Sequence, residues 1–394
     1  MASRWASGQT ATLEPLWPPL YPQAIAAVLA AGGSRGVVQV LQAALLAMCA
    51  CMLFGLARHW FGTAVALVTT ALFLLDSQTV AFALYLWPEV PHLALVTGAV
   101  WLAVTGPVTP WRAIGIGVLL GLALVLKNLL GPALPLAALA LFAWHGTRAL
   151  PRLALALAAL LAIVGPTMIQ NLRDNGTLLP GDSARFNLLV GISDTSPRNF
   201  VDEIVGEEFN RYQASAPRHD QRNAILAARI DDLVRSRGWR AIAASQLGRQ
   251  YFRLFDKDSF FTDQLPGGAI TAAGFGYREA PALLSTALRI WAYTVYLAVL
   301  ILAPFGGVIC WRRQRPATLA MLGYLGFTLA VCLVAHVKTR YRVQFLPVFC
   351  LWAAVAAVEG WLAARAPVRP PRWMWSAAAV AALLVYLATA NTFR

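Results

Sequence analysis

Hydrophobic residues arrive in long blocks separated by short polar breaks, and the blocks rather than single positions set the plan of the chain. Predominantly apolar runs, the spanning candidates, lie near residues 37–57, 63–84, 89–106, 113–127, 129–144, 152–170, 284–309, 317–335, 343–362 and 374–390. A hydrocarbon core of about 30 Å needs roughly 20 apolar residues in a helix, so these blocks predict about ten transmembrane helices. Several are short of that length, and the pair around Lys127 is expected to tilt or to be partly re-entrant. The expectation is an all-α polytopic membrane protein with one polar, α-rich segment, 171–283, able to face water.

Within that segment the period changes. Ala224, Ile225, Ala228, Ile230, Leu233 and Val234, then Ile242, Leu247, Tyr251 and Phe252, recur at helical spacing on both sides of Gly238. They predict two amphipathic helices broken at the glycine, either lying at headgroup level or packed on the membrane part as a support. The domain plan is 1–36, an N-terminal segment with a Pro-Pro turn; 37–170, the first membrane helices; 171–283, the polar segment; and 284–394, the last membrane helices. No internal repeat is visible.

Composition agrees: 59% of the 394 residues are hydrophobic and 13% charged, which places the chain in the membrane class. Charge then adds topology. Fourteen of the 18 acidic residues lie in 171–283, where 14 Lys and Arg balance them, so the net charge of +14 belongs to the membrane part. Arg58, Arg112, Arg148, Arg152, Arg312, Arg313, Arg315, Arg365, Arg369 and Arg372 fall in alternate loops on one side, which the positive-inside rule makes cytoplasmic. The opposite, outer face receives the N-terminal segment, the turn at Tyr85–Glu89, Lys127, the polar segment and His336–Arg342. This pattern reports topology and anionic lipid, and it argues against a nucleic-acid partner.

Candidate chemistry gathers at the outer face. Leu16-Trp17-Pro18-Pro19-Leu20-Tyr21-Pro22 reads as a stiff turn, because two prolines fix φ and remove two donors; Pro18, Pro19 and Tyr21 are its architectural residues. Glu89, in Trp87-Pro88-Glu89-Val90-Pro91, is either a helix N-terminal carboxylate or the lining of an outward cavity. Asp76 marks a helix end or a buried polar group. Lys127, Lys338, Arg340 and Arg342 are cations on the face where the positive-inside rule disfavours them; with Tyr341 they would suit a phosphate, which Arg grips with two donors. Snorkelling to the interface is the competing account of the same cations.

No phosphate-cradling Gly-rich loop, HExxH or GxSxG is present, and His336 has no companion at ligand spacing. No cofactor is implied, and a divalent metal is not indicated. The five cysteines all lie in apolar runs and imply neither a disulfide framework nor a metal knuckle.

These pieces together resemble a known family, the GT-C membrane glycosyltransferases of the protein O-mannosyltransferase and aminoarabinose-transferase type, the dolichyl-phosphate-mannose mannosyltransferase-like family 39. The resemblance rests on Pro18-Pro19-Leu20-Tyr21-Pro22, the runs Val40–Leu46 and Ala57–Gly62, and Glu89 opening a helix. It continues through Gly121–Leu124 with Lys127, Asn171–Gly176 and Arg340–Pro347. It implies a polyprenyl-phosphate sugar donor, a lipid, glycan or protein acceptor, an inverting hexosyl or pentosyl transfer, and an active site on the outer face of a bacterial inner membrane.

It also implies a first spanning helix and an Asp-bearing loop ahead of the Pro-Pro turn. Here Glu14 is the carboxylate ahead of the turn and matches that position poorly, so the catalytic base is either absent from this chain or replaced. Catalytic candidates are Glu89 and Glu14. The alternatives are a non-catalytic, truncated family member acting as a binding subunit, and a lipid or anion transporter or flippase that uses the same cations to hold a headgroup.

Overall fold

The computed structural model describes residues 15–128, 146–193, 202–266, 280–334, 337–363 and 373–390. The run expected at 129–144, Glu14 and His336 lie outside the described residues. Among those described the regular structure is helical throughout, with no strand. In chain order it comprises α1 Leu20–Ala30, α2 Arg35–Phe61, α3 Thr63–Leu75, α4 Ser77–Phe82, α5 Glu89–Val104 and α6 Pro110–Leu126. There follow α7 Leu150–Asn175, α8 Ala184–Ser193, α9 Asp202–Ser215, α10 His219–Arg237, α11 Trp239–Phe255 and α12 Phe260–Asp263. The chain closes with α13 Ala282–Arg313, α14 Arg315–Val334, a 3-10 turn at Thr339–Gln344, α15 Leu346–Ala363 and α16 Trp373–Thr389.

Among the described residues four helices are long and apolar enough to cross a membrane by themselves, at Arg35–Phe61, Leu150–Asn175, Ala282–Arg313 and Arg315–Cys332; α1, α3, α5, α6, α15 and α16 are shorter apolar helices. The protein is an all-α polytopic membrane protein.

Two local outcomes differ from the hydropathy pattern. The run 63–84 is not one helix. Asp76 turns to extended geometry, and its Oδ2 accepts from the Thr79 backbone N–H at 2.9 Å and the Thr79 hydroxyl at 2.7 Å, ending α3 and starting α4. A side chain that caps a new helix breaks an apolar run that hydropathy alone reads as continuous. In addition, the N-terminal segment carries a helix, α1, directly after Pro19, whose helical φ of −84° starts it. The break at Gly238 is where the periodicity places it: α10 ends at Arg237, and Gly238 takes a φ of +78°, a value open to glycine at little cost.

The chain folds into two compact units. Unit 1 comprises 1–41, 98–253 and 326–338; unit 2 comprises 42–97, 254–325 and 339–394.

In unit 1, α6 lies against α7 so closely that a Cβ at Gly117 would sit 2.1 Å from the Ala156 carbonyl oxygen. Small residues at such contacts replace the hydrophobic drive that is lost between helices in lipid. The polar part of the unit has its own core of Leu16, Phe186, Leu189, Val190, Tyr212 and Leu226, with Phe209, Ile230 and Leu233 packed on it.

Leu16 brings the N-terminal turn into that core. The Pro15 carbonyl accepts from the Asp182 N–H at 2.8 Å, Pro18 lies so close to Gly181 that a Cβ there would meet its ring at 2.7 Å, and Trp17 meets the Phe209 ring at 5.1 Å. Beneath the turn, Asp182 Oδ2 accepts from Asn223 Nδ2 at 2.7 Å and lies 3.1 Å from His219 Nε2, while the Tyr212 hydroxyl bonds to His219 Nδ1. The hydrogen bond from His219 holds the Asp182 carboxyl below its ordinary value.

In unit 2, α13 packs on α15 through Gly306, where a Cβ would lie 1.6 Å from the Trp352 carbonyl oxygen.

Candidate active site

Unit 2 brings together three stretches of chain: the Tyr85–Glu89 turn, the 3-10 turn after Thr339, and the segment from Asp256 to Pro266. The first is held from below by Gln42 of α2, whose Nε2 donates to the carbonyls of Ala83 at 2.9 Å and Tyr85 at 2.7 Å. Glu89 and His92, three residues apart, occupy one face of the first turn of α5. Across from them stand Arg340 and Gln344, four residues apart. The Arg340 Nε to Glu89 Oε1 distance is 3.5 Å, and His92 Nδ1 to Gln344 Oε1 is 2.7 Å. Since Gln344 Oε1 accepts, the His92 proton sits on Nδ1.

Glu89 is thus 1% exposed and held against a cation; Arg340 keeps 28% of its side chain exposed. The Arg340 guanidinium lies over the Trp87 ring at 4.9 Å and near the Tyr341 ring at 5.6 Å, contacts that orient a planar cation.

Trp87 carries the arrangement to the third stretch. Its ring meets Phe260 of α12 at 4.7 Å, Tyr85 meets the same ring edge-on at 4.9 Å, and the Tyr85 hydroxyl donates to Gln264 Oε1 at 2.7 Å. Helix α12 is short and fixed at both ends. Ser259 and Thr262 form a reciprocal capping box, and Arg289 Nη2 donates to the carbonyls of Leu265 and Pro266, each at 2.9 Å.

Three carboxylates and two cations surround this helix. Lys257 Nζ pairs with Asp258 Oδ2 at 2.8 Å and sits 4.7 Å from the Tyr293 ring centre, and the Tyr293 hydroxyl donates to Asp258 Oδ1. Asp263, at the end of α12, is pushed up to about 7, first by burial and then by the negative charges of Asp258 and Asp256; Arg289 and Lys257 act against the shift. A carboxyl that titrates near neutrality is suited to taking or giving a proton. Asp258, Asp263 and Lys257 were not singled out in the sequence, where Asp256-Lys257-Asp258-Ser259-Phe260-Phe261-Thr262-Asp263 reads as one more polar stretch. The signal available was three carboxylates within eight residues, two of them flanking an aromatic pair.

The other predicted residues fall as follows. Arg342 does not present a free fork. It is 3% exposed, Nη1 donates to the Asp256 carbonyl, and the guanidinium sits 4.2 Å over the Tyr296 ring. It braces the start of the Asp256 segment from inside, because an arginine within an apolar layer must spend its donors on carbonyls and ring faces.

Tyr341 lies beside Arg340. Lys127 and Lys338 belong to unit 1: Lys127 ends α6 in extended geometry and lies within electrostatic reach of Cys332 on α14, and Lys338 is partly buried just after Val337. Pro18 and Pro19 belong to the docked turn of unit 1, whereas Tyr21, 9% exposed, lies not in the turn but in the first turn of α1, because Pro19 takes a helical φ and starts the helix there. Among the described residues no group of three His, Cys, Asp or Glu side chains is placed to hold a metal ion.

No protein-family model and no curated protein sequence matches the chain. Among solved structures it is similar to ArnT from Cupriavidus metallidurans bound to undecaprenyl phosphate, at a TM-score of 0.39 and 15% identity over 92% of this chain and 73% of that one. It is also similar to the archaeal oligosaccharyltransferase AglB from Archaeoglobus fulgidus, in complex with an inhibitory peptide and a dolichol-phosphate, at 0.45 and 13% over 96% and 47%. At these scores and identities neither likeness bears on which residues of this chain do chemistry.

Proposed function

We propose that the protein is a glycosyltransferase that moves a sugar from a polyprenyl-phosphate carrier to an acceptor hydroxyl or amine at the outer face of the membrane. The observation that carries this reading is the joining, through Trp87 and Phe260, of an oriented, part-exposed guanidinium (Arg340) to a carboxyl that titrates near neutrality (Asp263).

In the reaction a lone pair on the acceptor oxygen or nitrogen forms the new bond to the anomeric carbon. The bond from that carbon to the phosphate oxygen breaks, its electron pair stays on the phosphate, and the acceptor proton passes to a carboxylate. Arg340 meets the charge that grows on the departing phosphate, where a fixed cation acts most strongly. Tyr341, beside Arg340, adds a donor; Lys127 and Lys338, expected from the sequence as further cations for the carrier, belong to unit 1 and carry no part of this site. Arg342 supports the segment that bears the base.

The base is assigned to Asp263. Glu89 is buried and paired, so its part is to hold Arg340 in place. Glu89 could serve as the base only after giving up Arg340. Pro18 and Pro19 keep the polar part of unit 1 folded. The active site faces the exterior of an inner membrane, with anionic lipid on the cytoplasmic side.

The test is transfer from a polyprenyl-phosphate-linked sugar by the full chain in detergent. Asp263→Asn is expected to lower kcat by about 100-fold or more with KM little changed, the size of a lost general base. Arg340→Gln is expected to weaken carrier binding. Full activity in Asp263→Asn with loss in Glu89→Gln would move the base to Glu89. Headgroup movement across vesicles without any transfer would favour the transporter reading instead.

A further inference from the structure

Unit 1 contains a cleft of about 430 Å³, remote in sequence from Arg340 and used by none of the chemistry above. It is lined by Ile192 at the end of α8, Arg237 at the end of α10, and Ala241, Ile242, Ser245, Gln246 and Arg249 of α11. Positions 242, 245, 246 and 249 follow the i, i+3, i+4, i+7 spacing that places side chains on one helix face. Arg237 Nη1 donates to the Ile192 carbonyl at 2.8 Å, and Arg249 Nε donates to the Ser245 carbonyl at 3.3 Å, with Nη2 on the Ser245 hydroxyl. Two guanidiniums therefore border the cleft, and none of the described residues lining it is acidic.

The second observation is a buried amide with a donor to spare. Gln246 is 3% exposed, and its Nε2 has no acceptor among the described residues. The orientation of that amide follows from its neighbours. The Val337 backbone N–H, which can only donate, gives its proton to Gln250 Oε1 at 3.1 Å. That leaves Gln250 Nε2 to donate to Gln246 Oε1 at 2.6 Å, so Gln246 must hold its N–H end away from the chain of bonds. A backbone N–H thus polarises two amides in series and leaves a donor in the wall of a cleft that already has two cations. One water molecule would satisfy the amide alone. A tetrahedral oxyanion, with several acceptor oxygens and negative charge, satisfies the amide and both guanidiniums together.

We infer that this cleft is a second anion site, taking a phosphate monoester between Arg237, Arg249 and the Gln246 amide, with Ile192, Ala241 and Ile242 against whatever the phosphate carries. The phosphate has two sources, free in solution or as a lipid headgroup. Trp239, three residues before Ile242 on the same helix, is 64% exposed, an apolar side chain at the edge of the lining face for an acyl or prenyl chain.

The experiment is calorimetric titration of the full chain in uncharged detergent with two probes, inorganic phosphate and a short-chain phosphatidic acid. Binding of both assigns the site to the phosphate alone; binding of the phosphatidic acid only assigns it to a lipid headgroup. In either case Gln246→Glu and Arg237→Gln are expected to weaken binding roughly tenfold or more, the loss expected for a charge-assisted bond, while Arg340→Ala keeps it. Arg237 is exposed, so Arg237→Gln serves where Gln246→Glu does not give a folded protein. Failure of both probes to bind, binding indifferent to Arg237→Gln, or binding lost in Arg340→Ala alone would overturn the proposal. The last result would leave the Arg340 assignment standing.

Discussion

Asp263 ties acidity, stability and rate to a single side chain. Its folded-state value of about 7 lies above the ordinary aspartate value of 3.8, so the folded protein holds the proton more tightly than the unfolded chain does. The stability that this proton contributes is complete below the ordinary value and is lost as pH rises from there through about 7. Asp263→Asn should therefore melt above the wild type at pH 8, with the gap closing towards pH 4, as followed by thermal denaturation in detergent. Catalysis should run the other way, with kcat/KM rising through about pH 7 as the base is freed. Stability and activity of opposite pH sign at one residue would be hard to obtain from a merely structural carboxylate.

Glu89 shows the complementary situation. Removing Arg340 would take from buried Glu89 the guanidinium 3.5 Å away, and breaking a buried pair on one side costs about 3–5 kcal/mol. A drop in Tm for Arg340→Gln that is largely restored in the Arg340→Gln, Glu89→Gln double variant is the expected outcome.

Between helices, tolerance is set by backbone contact. The Trp352 carbonyl occupies the space where a Gly306 side chain would go, so Gly306→Ala must push α13 from α15. Overpacking of this kind costs roughly 1–3 kcal/mol, or more where only backbone can move. Gly323, with nothing within 4 Å of its Cβ position, should accept alanine without loss. Comparison of the two melting temperatures tests the pair.

Helices are also where the reading from sequence worked best. Apolar runs longer than a bilayer needs have one cheap solution, a helix that satisfies its own backbone, and α2, α7, α13 and α14 follow directly. Reading by apolar runs failed where one polar side chain outvoted the run, as Asp76, expected as a helix end or a buried polar group and here both, does in capping α4, and where a helix was too short to register, as with α1. The break at Gly238 was legible because only a residue without Cβ takes that backbone angle at little cost.

For the whole molecule, the distribution of charge remains the strongest statement. A polar segment balanced in charge and a membrane part that holds all of the net +14 predict that the segment is exterior. A cysteine placed at exposed Ser236, in a segment without natural cysteines, should react with a membrane-impermeant maleimide on intact cells. Labelling only after lysis would reverse the assigned orientation.

The candidate site was legible only in part for the same reason that the helices were legible. Glu89 and Arg340 stood out because charges next to apolar runs are costly. Asp258 and Asp263 did not, because charges in a polar stretch cost nothing until Phe260 packs on Trp87 and burial raises the carboxyl. Arg342 carried the same sequence signal as Arg340 and turned inward, and spacing cannot tell a guanidinium facing a ligand from one facing a carbonyl. The Gln246–Gln250 amides gave no signal at all, since their meaning lies in the direction of one backbone N–H at Val337.

The turn from Pro15 to Pro19 has a consequence in time. Its seat, Gly181 and Asp182 with the aromatic residues beyond them, is translated long after the turn itself. At about 5–20 residues per second of synthesis, an interval of order ten seconds passes during which Leu16 has no core to enter and Trp17 no ring to meet. Two prolines in sequence hold the segment in nearly its final shape through that wait. The nascent chain then closes this contact by docking a preformed piece, with little further loss of entropy, and a ribosome stalled short of Asp182 would display the tryptophan to any chaperone or protease within reach.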